Sequence, residues 1–414
     1  MPQGKKMFRI FLFLILIISF NCEGFAQTAE KYFKAGYEKQ VRGDYQGAVK
    51  EYGKAIKSKP KYAEAYSKRG YVKSFLNDYS GAILDFNKAL ELNPYLYDVY
   101  ARRAFSKNML NDMEGAISDL NQAIEINPQY KEGYFARGGL KYFIGNFQDA
   151  NKDFEKAVQI DSNYADVYYL KGNVEVQLGD YRSAIANISK GIELNPINEE
   201  AEAFNNRGYA KFMTENDSGA ITDYNKAIEL NSNIPLIYLR RGLAKGNIGD
   251  NTGAIQDFSK VLELDPKDSW AYNNRGYDKY LLKDYHGAIA DFDSAINLNS
   301  KESKMYLNRS NAKSMLEDYQ GAIDDINKAM ELNPNDEKSY FNRGLIKSEL
   351  GDYITAIQDF NKAIELNPKY AKAYNSRGTA KYWLTQKQDA CDDWIKASQL
   401  GYNEGNENLE KYCK

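Results

Sequence analysis

The stretch of sequence that decides the fold is AEAYSKRGYVKSFLNDYSGAILDFNKALELNP, residues 63–94. Its first half contains Tyr66 and Gly70, which are four residues apart and therefore lie on one face of a predicted helix. The Asn-Asp-Tyr sequence at residues 77–79 then predicts a turn, because Asn and Asp side chains accept hydrogen bonds from the first backbone amides of a following helix.

The second half of this stretch predicts another helix. Ala82, Phe86 and Ala89 mark it, and Pro94 stops it, because proline cannot continue a helix. Small residues at Gly70, Ala82 and Ala89 allow the two helices to approach closely, and the large aromatic residues fill the space that remains. The stretch is therefore a predicted helix-turn-helix.

The same pattern recurs along most of the chain. The sequence Gly-Ala-Ile, near the start of the second helix, is found mostly at multiples of 34 residues, at Gly81, Gly115, Gly219, Gly253, Gly287 and Gly321. Aligning the copies gives eleven repeats of 34 residues, of which the fifth has two additional residues, Glu199 and Glu200. The repeats begin at Ala29, Ala63, Tyr97, Lys131, Ala165, Ala201, Pro235, Ser269, Ser303, Glu337 and Ala371.

The repeat resembles the tetratricopeptide repeat, and the resemblance covers residues 29–404. The matching residues of the second copy are Tyr66, Gly70, Ala82, Phe86, Ala89 and Pro94. Arg69 and Lys73 depart from the family's leucine and tyrosine, and these departures recur along the chain. The resemblance implies an all-α fold, an α-solenoid of eleven repeats that forms a right-handed superhelix, with residues 405–414 as a C-terminal cap.

The composition excludes several classes of function. The 414 residues include 55 Lys and Arg against 57 Asp and Glu, without the basic excess of a nucleic-acid binder. Three cysteines and one histidine are too few for a Cys/His zinc site or a His-centred catalytic triad. His286 is expected to lie on the surface. Because the repeats fill the chain, we expect no enzyme domain, no cofactor and no metal.

The N-terminus has the features of an export signal. Basic residues precede the apolar stretch 10–20, and small residues lie at positions 24 and 26. This order predicts a signal peptide, residues 1–26, cleaved after Ala26, and places the protein in the periplasm, in the cell envelope or outside the cell. An uncleaved anchor and a lipid anchor at Cys22 are the alternatives.

In the tetratricopeptide repeat family, the first helix of each repeat lines a concave binding groove. The corresponding groove positions are 2, 5, 9, 12 and 13, counted from the first residue of each repeat. At these positions the chain carries the aromatic residues Phe33, Tyr37, Tyr71, Phe75, Phe105, Phe135, Tyr142, Phe143, Tyr169, Tyr209, Phe212, Trp270, Tyr277, Tyr280, Phe341, Tyr382 and Trp383. Asparagines are interleaved at Asn173, Asn205, Asn273, Asn311 and Asn375. Aromatic anchors beside amides predict a non-enzymatic scaffold that binds a protein or peptide. A carbohydrate-binding module and an assembly chaperone that use the same groove are the alternatives. Any of these aromatics can instead pack between neighbouring helices.

Charged residues also recur at fixed repeat positions. Nine repeats carry Arg at position 7 and Asp at position 23, and ten carry Lys at position 11. Positions 7 and 11 share a helical face, so we expect each Asp to accept hydrogen bonds from an Arg or Lys of a packed first helix. Repeat five exchanges the roles, with Glu175 in place of Lys and Asn187 in place of Asp.

Two further features concern stability. Cys391 lies in the last repeat and Cys413 in the tail. Because the predicted compartment is oxidising, we expect a disulfide between them that fastens the cap to the last repeat. The tail helix is expected over residues 408–413. Repeat six follows the two additional glutamates and carries polar residues at its turn, so it is expected to be the weakest internal joint.

Overall fold

A computed structural model describes residues 27–195 and 201–413. The predicted signal peptide lies outside these residues, as do Glu199 and Glu200. The described residues are helical and contain no strand, which confirms the all-α prediction. The described residues divide into two compact halves, residues 27–195 and 201–413, on either side of the segment with the two additional glutamates.

The N-terminal half contains repeats one to five. Helix α1 covers residues 27–41. The following helices are α2 (Tyr45–Ser58), α3 (Ala63–Phe75), α4 (Tyr79–Leu92), α5 (Tyr97–Met109), α6 (Met113–Ile126), α7 (Lys131–Phe143), α8 (Phe147–Ile160), α9 (Ala165–Leu178) and α10 (Tyr181–Leu194). Each helix packs against its neighbours in sequence, and α3 and α7 also contact the first helix of the next repeat.

The C-terminal half contains repeats six to eleven and the tail. Its helices are α11 (Ala201–Met213), α12 (Asp217–Leu230), α13 (Pro235–Asn247), α14 (Asn251–Leu264), α15 (Ser269–Leu281), α16 (Tyr285–Leu298), α17 (Ser303–Met315), α18 (Tyr319–Leu332), α19 (Glu337–Glu349), α20 (Tyr353–Leu366), α21 (Ala371–Trp383), α22 (Lys387–Gln399) and α23 (Asn403–Tyr412). In repeats two to eleven, the first helix begins at the residue that the sequence analysis predicts as the start of the repeat.

The tail helix is longer than the sequence predicts. It begins at Asn403 rather than Asn408, and therefore two residues before the predicted cap. Gly401, with a φ of 85°, closes the turn after α22, so the chain re-enters a helix almost at once. The full α23 packs against α22 and covers the end of the last repeat.

The recurrent Gly-Ala-Ile sequence has a local physical cause. Asp78 caps α4, and its side chain accepts a hydrogen bond from the backbone amide of Gly81 at 2.9 Å. A Cβ atom on Gly81 would lie 2.2 Å from the Asp78 carboxylate, so glycine lets the cap close tightly. Where Thr355 occupies the same position, the corresponding bond from its amide to Asp352 lengthens to 3.2 Å.

Close packing inside each repeat follows the predicted small-and-large pattern. Ala82, Phe86 and Ala89 are fully buried. A Cβ atom on Gly70 would lie 2.8 Å from the Phe86 ring, so this glycine admits the ring between the two helices. The first helix of each repeat is thereby fixed on the second, and its other face is left to neighbouring repeats and to solvent.

Candidate partner-binding surfaces

A charge ladder fixes the orientation of the first helices. In repeat two, Asp85 accepts from Arg69 Nε at 2.8 Å and Arg69 Nη2 at 2.5 Å, and it lies 2.9 Å from Lys73 Nζ. The same three-residue arrangement forms at Asp119, Asp153, Asp223, Asp257, Asp291, Asp325, Asp359 and Asp393. The predicted pairing of acid and base is therefore confirmed in nine repeats.

The arginine of the ladder also reaches the preceding repeat. Arg103 Nη1 donates to Asn87 Oδ1 at 2.7 Å, and the guanidinium lies 5.3 Å from the centroid of the Tyr100 ring. Equivalent donations join Arg137 to Asn121 and Arg241 to Asn225. One planar side chain with several donors thus contacts its own second helix and that of the neighbour, which sets the register between repeats.

Repeat five contains the exchanged arrangement that the sequence predicts. Asn187 Nδ2 donates to both carboxylate oxygens of Glu175, at 2.9 and 2.7 Å, and Lys171 pairs with the same carboxylate. The negative charge has moved from the second helix to the first, and the paired geometry is kept.

The aromatic residues at position 5 turn inward. Phe341 is 8 % exposed, and its ring centroid lies 5.9 Å from that of Phe360 and 4.9 Å from that of Tyr370. The same position holds Phe33 and Phe135, which pack on Tyr62 and Tyr164, and Tyr169, which packs over Gly191. These predicted groove residues contribute to the core between repeats.

The aromatic residues at position 12 are half-buried at the turn. The Tyr142 ring lies 5.7 Å from Phe147, and the Tyr280 ring lies 5.6 Å from Tyr285. Each ring covers the turn aromatic of its own repeat. Phe212 is half-buried at the same position, and Tyr382 packs against the tail helix.

Positions 9 and 13, with Trp270 at position 2, present most of the exposed aromatic surface. Phe75 and Phe105 are 53 % and 54 % exposed, and Phe143 is 74 % exposed. The other exposed members of the predicted set are Tyr37, Trp270, Tyr277 and Trp383. Most aromatics that a partner can reach therefore lie at positions 9 and 13, although Tyr71 and Tyr209 at position 9 are half-buried.

Two adjoining cavities lie along this surface in the N-terminal half. The first has a volume of about 520 Å³ and is lined by residues that include Tyr71, Phe75 and Phe105. The second has about 460 Å³, shares Phe105 with the first and extends to Phe143. Exposed phenylalanines therefore surround a continuous depression over α3, α5 and α7.

Arginines at position 6 hold two of the predicted groove tyrosines. Arg102 lies 4.2 Å from the centroid of the Tyr71 ring and 3.5 Å from the Asp98 carboxylate. Arg240 lies 4.3 Å from the Tyr209 ring centroid. Burial lowers the pKa of Arg240. These arginines are not among the predicted groove residues, because position 6 is not one of the family's groove positions.

A third cavity of about 780 Å³ lies in the C-terminal half, between α13, α15, α17 and α19. Amide side chains line much of it, and Asn308 Nδ2 donates to Asn273 Oδ1 at 2.9 Å. Asp278 also lines it and is 5 % exposed. Burial raises the pKa of Asp278 to about 7. No sequence signal was assigned to Asp278.

The tail closes the last repeat. The structure joins Cys391 and Cys413, the pair named from the sequence, in a disulfide with the Cα atoms 5.9 Å apart. The Tyr412 ring lies 4.6 Å from Tyr382 and 5.6 Å from Trp394. The tail thus covers aromatic surface that a further repeat would otherwise bury.

The described surfaces carry no cluster of metal-binding side chains. In residues 27–195 and 201–413, no group of three or more His, Cys, Asp and Glu side chains is arranged to hold a metal ion. His286 is exposed, as expected. Among the same residues, no helix has the length and apolar character needed to cross a membrane.

Sequence profiles of the tetratricopeptide repeat match residues 41–74, 63–95, 97–130, 165–198, 236–268, 303–336 and 337–370, which together are more than half of the chain. This chain belongs to the tetratricopeptide repeat family. Proteins of the family generally act as scaffolds for protein interactions, and the fold is typically non-enzymatic. No curated protein sequence matches the chain.

Several solved structures are similar to this chain. YrrB, described as a TPR protein with an unusual peptide-binding site, is 26% identical with a TM-score of 0.41, over 44% of this chain and 92% of that one. MamA is 28% identical with a TM-score of 0.37, over 43% and 94%. Yeast Tom70 is 16% identical with a TM-score of 0.43, over 93% and 96%.

Proposed function

We propose that this protein is an exported, non-enzymatic scaffold whose first-helix face binds a peptide or a segment of a protein partner. The observation that carries the proposal is the depression over α3, α5 and α7. There Phe75, Phe105 and Phe143 remain half exposed or more beside two adjoining cavities, although the same fold buries Phe341 almost completely.

The energetics favour occupation of this depression. An aromatic side chain buries 150–250 Å² when fully covered, so covering the exposed half of Phe105 removes roughly 100 Å² from water. At about 25 cal/mol per Å², that burial contributes about 2.5 kcal/mol. Three such rings near cavities that admit apolar side chains are a typical set of anchors for an extended segment or a helix.

The compartment is part of the same proposal. The Cys391–Cys413 disulfide supports export, because disulfides persist in oxidising compartments and are rare in reducing ones. A partner is then expected in the cell envelope or outside the cell.

Site-specific photo-cross-linking tests the proposal. Benzoylphenylalanine is placed at Phe105, and at Leu84 in a matched control. Leu84 is 70 % exposed on the second helix α4, outside the depression. We expect the Phe105 position to yield a discrete cross-linked protein in the native cells and the Leu84 position to yield none. Equal products from both positions, or products only with soluble glycans, would contradict the proposal.

A further inference from the structure

Asp278 carries a charge at a repeat position that is uncharged in every other internal repeat. Position 10 of the first helix faces the core in most repeats, where Val72, Ser106 and Ala312 have no exposed surface. Repeat eight places a carboxylate there, 5 % exposed. Within the described part of the chain, no hydrogen bond or ion pair to this carboxylate is found. A buried charge without a partner is costly, so the structure leaves a strong acceptor uncompensated.

Space is available directly in front of this carboxylate. Gly246 lies on α13 opposite Asp278, and a Cβ atom built on it would be 3.6 Å from Asp278 Oδ1. Other repeats carry Tyr142, Phe212 or Tyr280 at the position of Gly246. The missing side chain opens the 780 Å³ cavity to the inner carboxylate.

The remaining charges of the cavity lie nearer its rim. Lys304 and Lys338 are exposed, and Asp336 is half-buried. Asp336 already accepts from the Ser339 backbone amide at 2.9 Å as the cap of α19. Exposed lysines are solvated and screened by salt, whereas a buried carboxylate is screened much less. The inner wall of the cavity is therefore its negative end.

From this arrangement we infer that the cavity of the C-terminal half is a specificity pocket for a lysine or arginine side chain of a peptide segment bound to the first helices of that half, with Asp278 as its acceptor. The inference rests on the proposed function, because it assumes that the first-helix face binds peptides. It adds the chemical class of the side chain that is selected.

The lining suits both parts of such a side chain. Leu243, Leu281 and Leu307 line the cavity and can contact the aliphatic stem, as long basic side chains bury their methylene groups along apolar surface. The charged end then forms a charge-assisted hydrogen bond with Asp278 in a site of low dielectric constant. The pairing removes the cost of leaving that carboxylate buried alone.

A panel of acetylated, amidated hexapeptides tests this pocket on the intact chain. Each peptide is made with lysine, arginine, norleucine or glutamate at one place, and norleucine keeps the stem of lysine without its charge. The proteins compared are the wild type, Asp278→Asn, Gly246→Leu and the control Glu349→Gln, which removes an exposed acid of α19 that does not line the cavity. Circular dichroism melts establish that each variant is folded.

We expect the best lysine peptide to bind the wild type and Glu349→Gln at least tenfold more tightly than its norleucine analogue. The preference should fall below twofold in Asp278→Asn and in Gly246→Leu, whose side chain fills the pocket. Equal binding of lysine and norleucine peptides to the wild type, or an unchanged preference in Asp278→Asn, would overturn the inference alone. Preference for glutamate would overturn it as well. If the wild type binds no peptide of the panel, the inference fails, and the proposed function fails as well only if the Phe105 position yields no cross-linked protein.

Discussion

Removing one carboxylate from the charge ladder should destabilise its repeat by about 3 kcal/mol. Asp119 accepts from Arg103 Nε at 2.9 Å and Nη2 at 2.6 Å, and Lys107 Nζ lies 2.9 Å away. Its side chain is 4 % exposed, and those of Arg103 and Lys107 are 17 % and 21 % exposed. Loss of one partner of a buried pair costs about 3–5 kcal/mol, and solvent around the two cations places Asp119→Asn at the lower end.

Repeat five indicates which substitutions should restore the stability that Asp119→Asn removes. The triple variant R103K/K107E/D119N reproduces the Lys171, Glu175 and Asn187 arrangement in repeat three, so we expect its stability to return to within about 1 kcal/mol of the wild type. Long repeat arrays do not unfold in two states, so the assay is amide hydrogen exchange over residues 97–130. A loss below about 0.5 kcal/mol in Asp119→Asn, or a triple variant no more stable than the single one, would show that the ladder contributes no more than an exposed ion pair.

Three further predictions concern the cap, the buried acid and the joint between the halves. Replacing Cys391 and Cys413 together by serine should lower the free energy of unfolding by about 3 kcal/mol, because the disulfide reduces the chain entropy of the unfolded state. The melting temperature under oxidising conditions should therefore fall, and an unchanged melting temperature would contradict this prediction. The raised pKa of Asp278, about 7 in the folded chain against 3.8 for the ordinary group, means that its contribution to stability falls as the pH rises from 4 to 7. Asp278→Asn should therefore gain up to about 4 kcal/mol relative to the wild type between pH 4 and pH 8, measured from the amide-exchange protection of residues 269–302 with Lys304, Lys338 and Asp336 unchanged. Parallel pH profiles of the two proteins would count against a raised pKa of Asp278. Amide exchange should be fastest, among the internal repeats, in repeat six, residues 201–234, and uniform protection from repeat two to repeat ten would exclude this.

The fold was predictable because the same short-range sequence features recur in most of the repeats. A capping Asp78, a glycine at Gly81 that admits its carboxylate, and a glycine at Gly70 that admits a Phe86 ring are all short-range features. The charge ladder was predictable for a related reason. When an acid is lost from one helix and gained on the other in the same repeat, as at Asn187 and Glu175, the change indicates that the two positions touch.

The surface could be predicted only in part. The family resemblance names the groove positions, but Phe341 and Phe105 are the same residue type and differ in depth because position 5 points between repeats and position 9 points away from them. Asp278 was not predicted as a site residue, because an acid that occurs at this position in one repeat does not form part of a periodic pattern. Its meaning depends on Gly246, which lies one repeat earlier in sequence and opposite it in space.

The central claim is that a partner binds the aromatic depression of the N-terminal half. The most direct test is the affinity of the cross-linked partner for Phe105→Ser and for the control Leu84→Ser. Covering Phe105 contributes about 2.5 kcal/mol, so its loss should weaken binding at least tenfold. Leu84→Ser should change the affinity less than twofold. Equal affinities of the two variants for that partner would contradict the account.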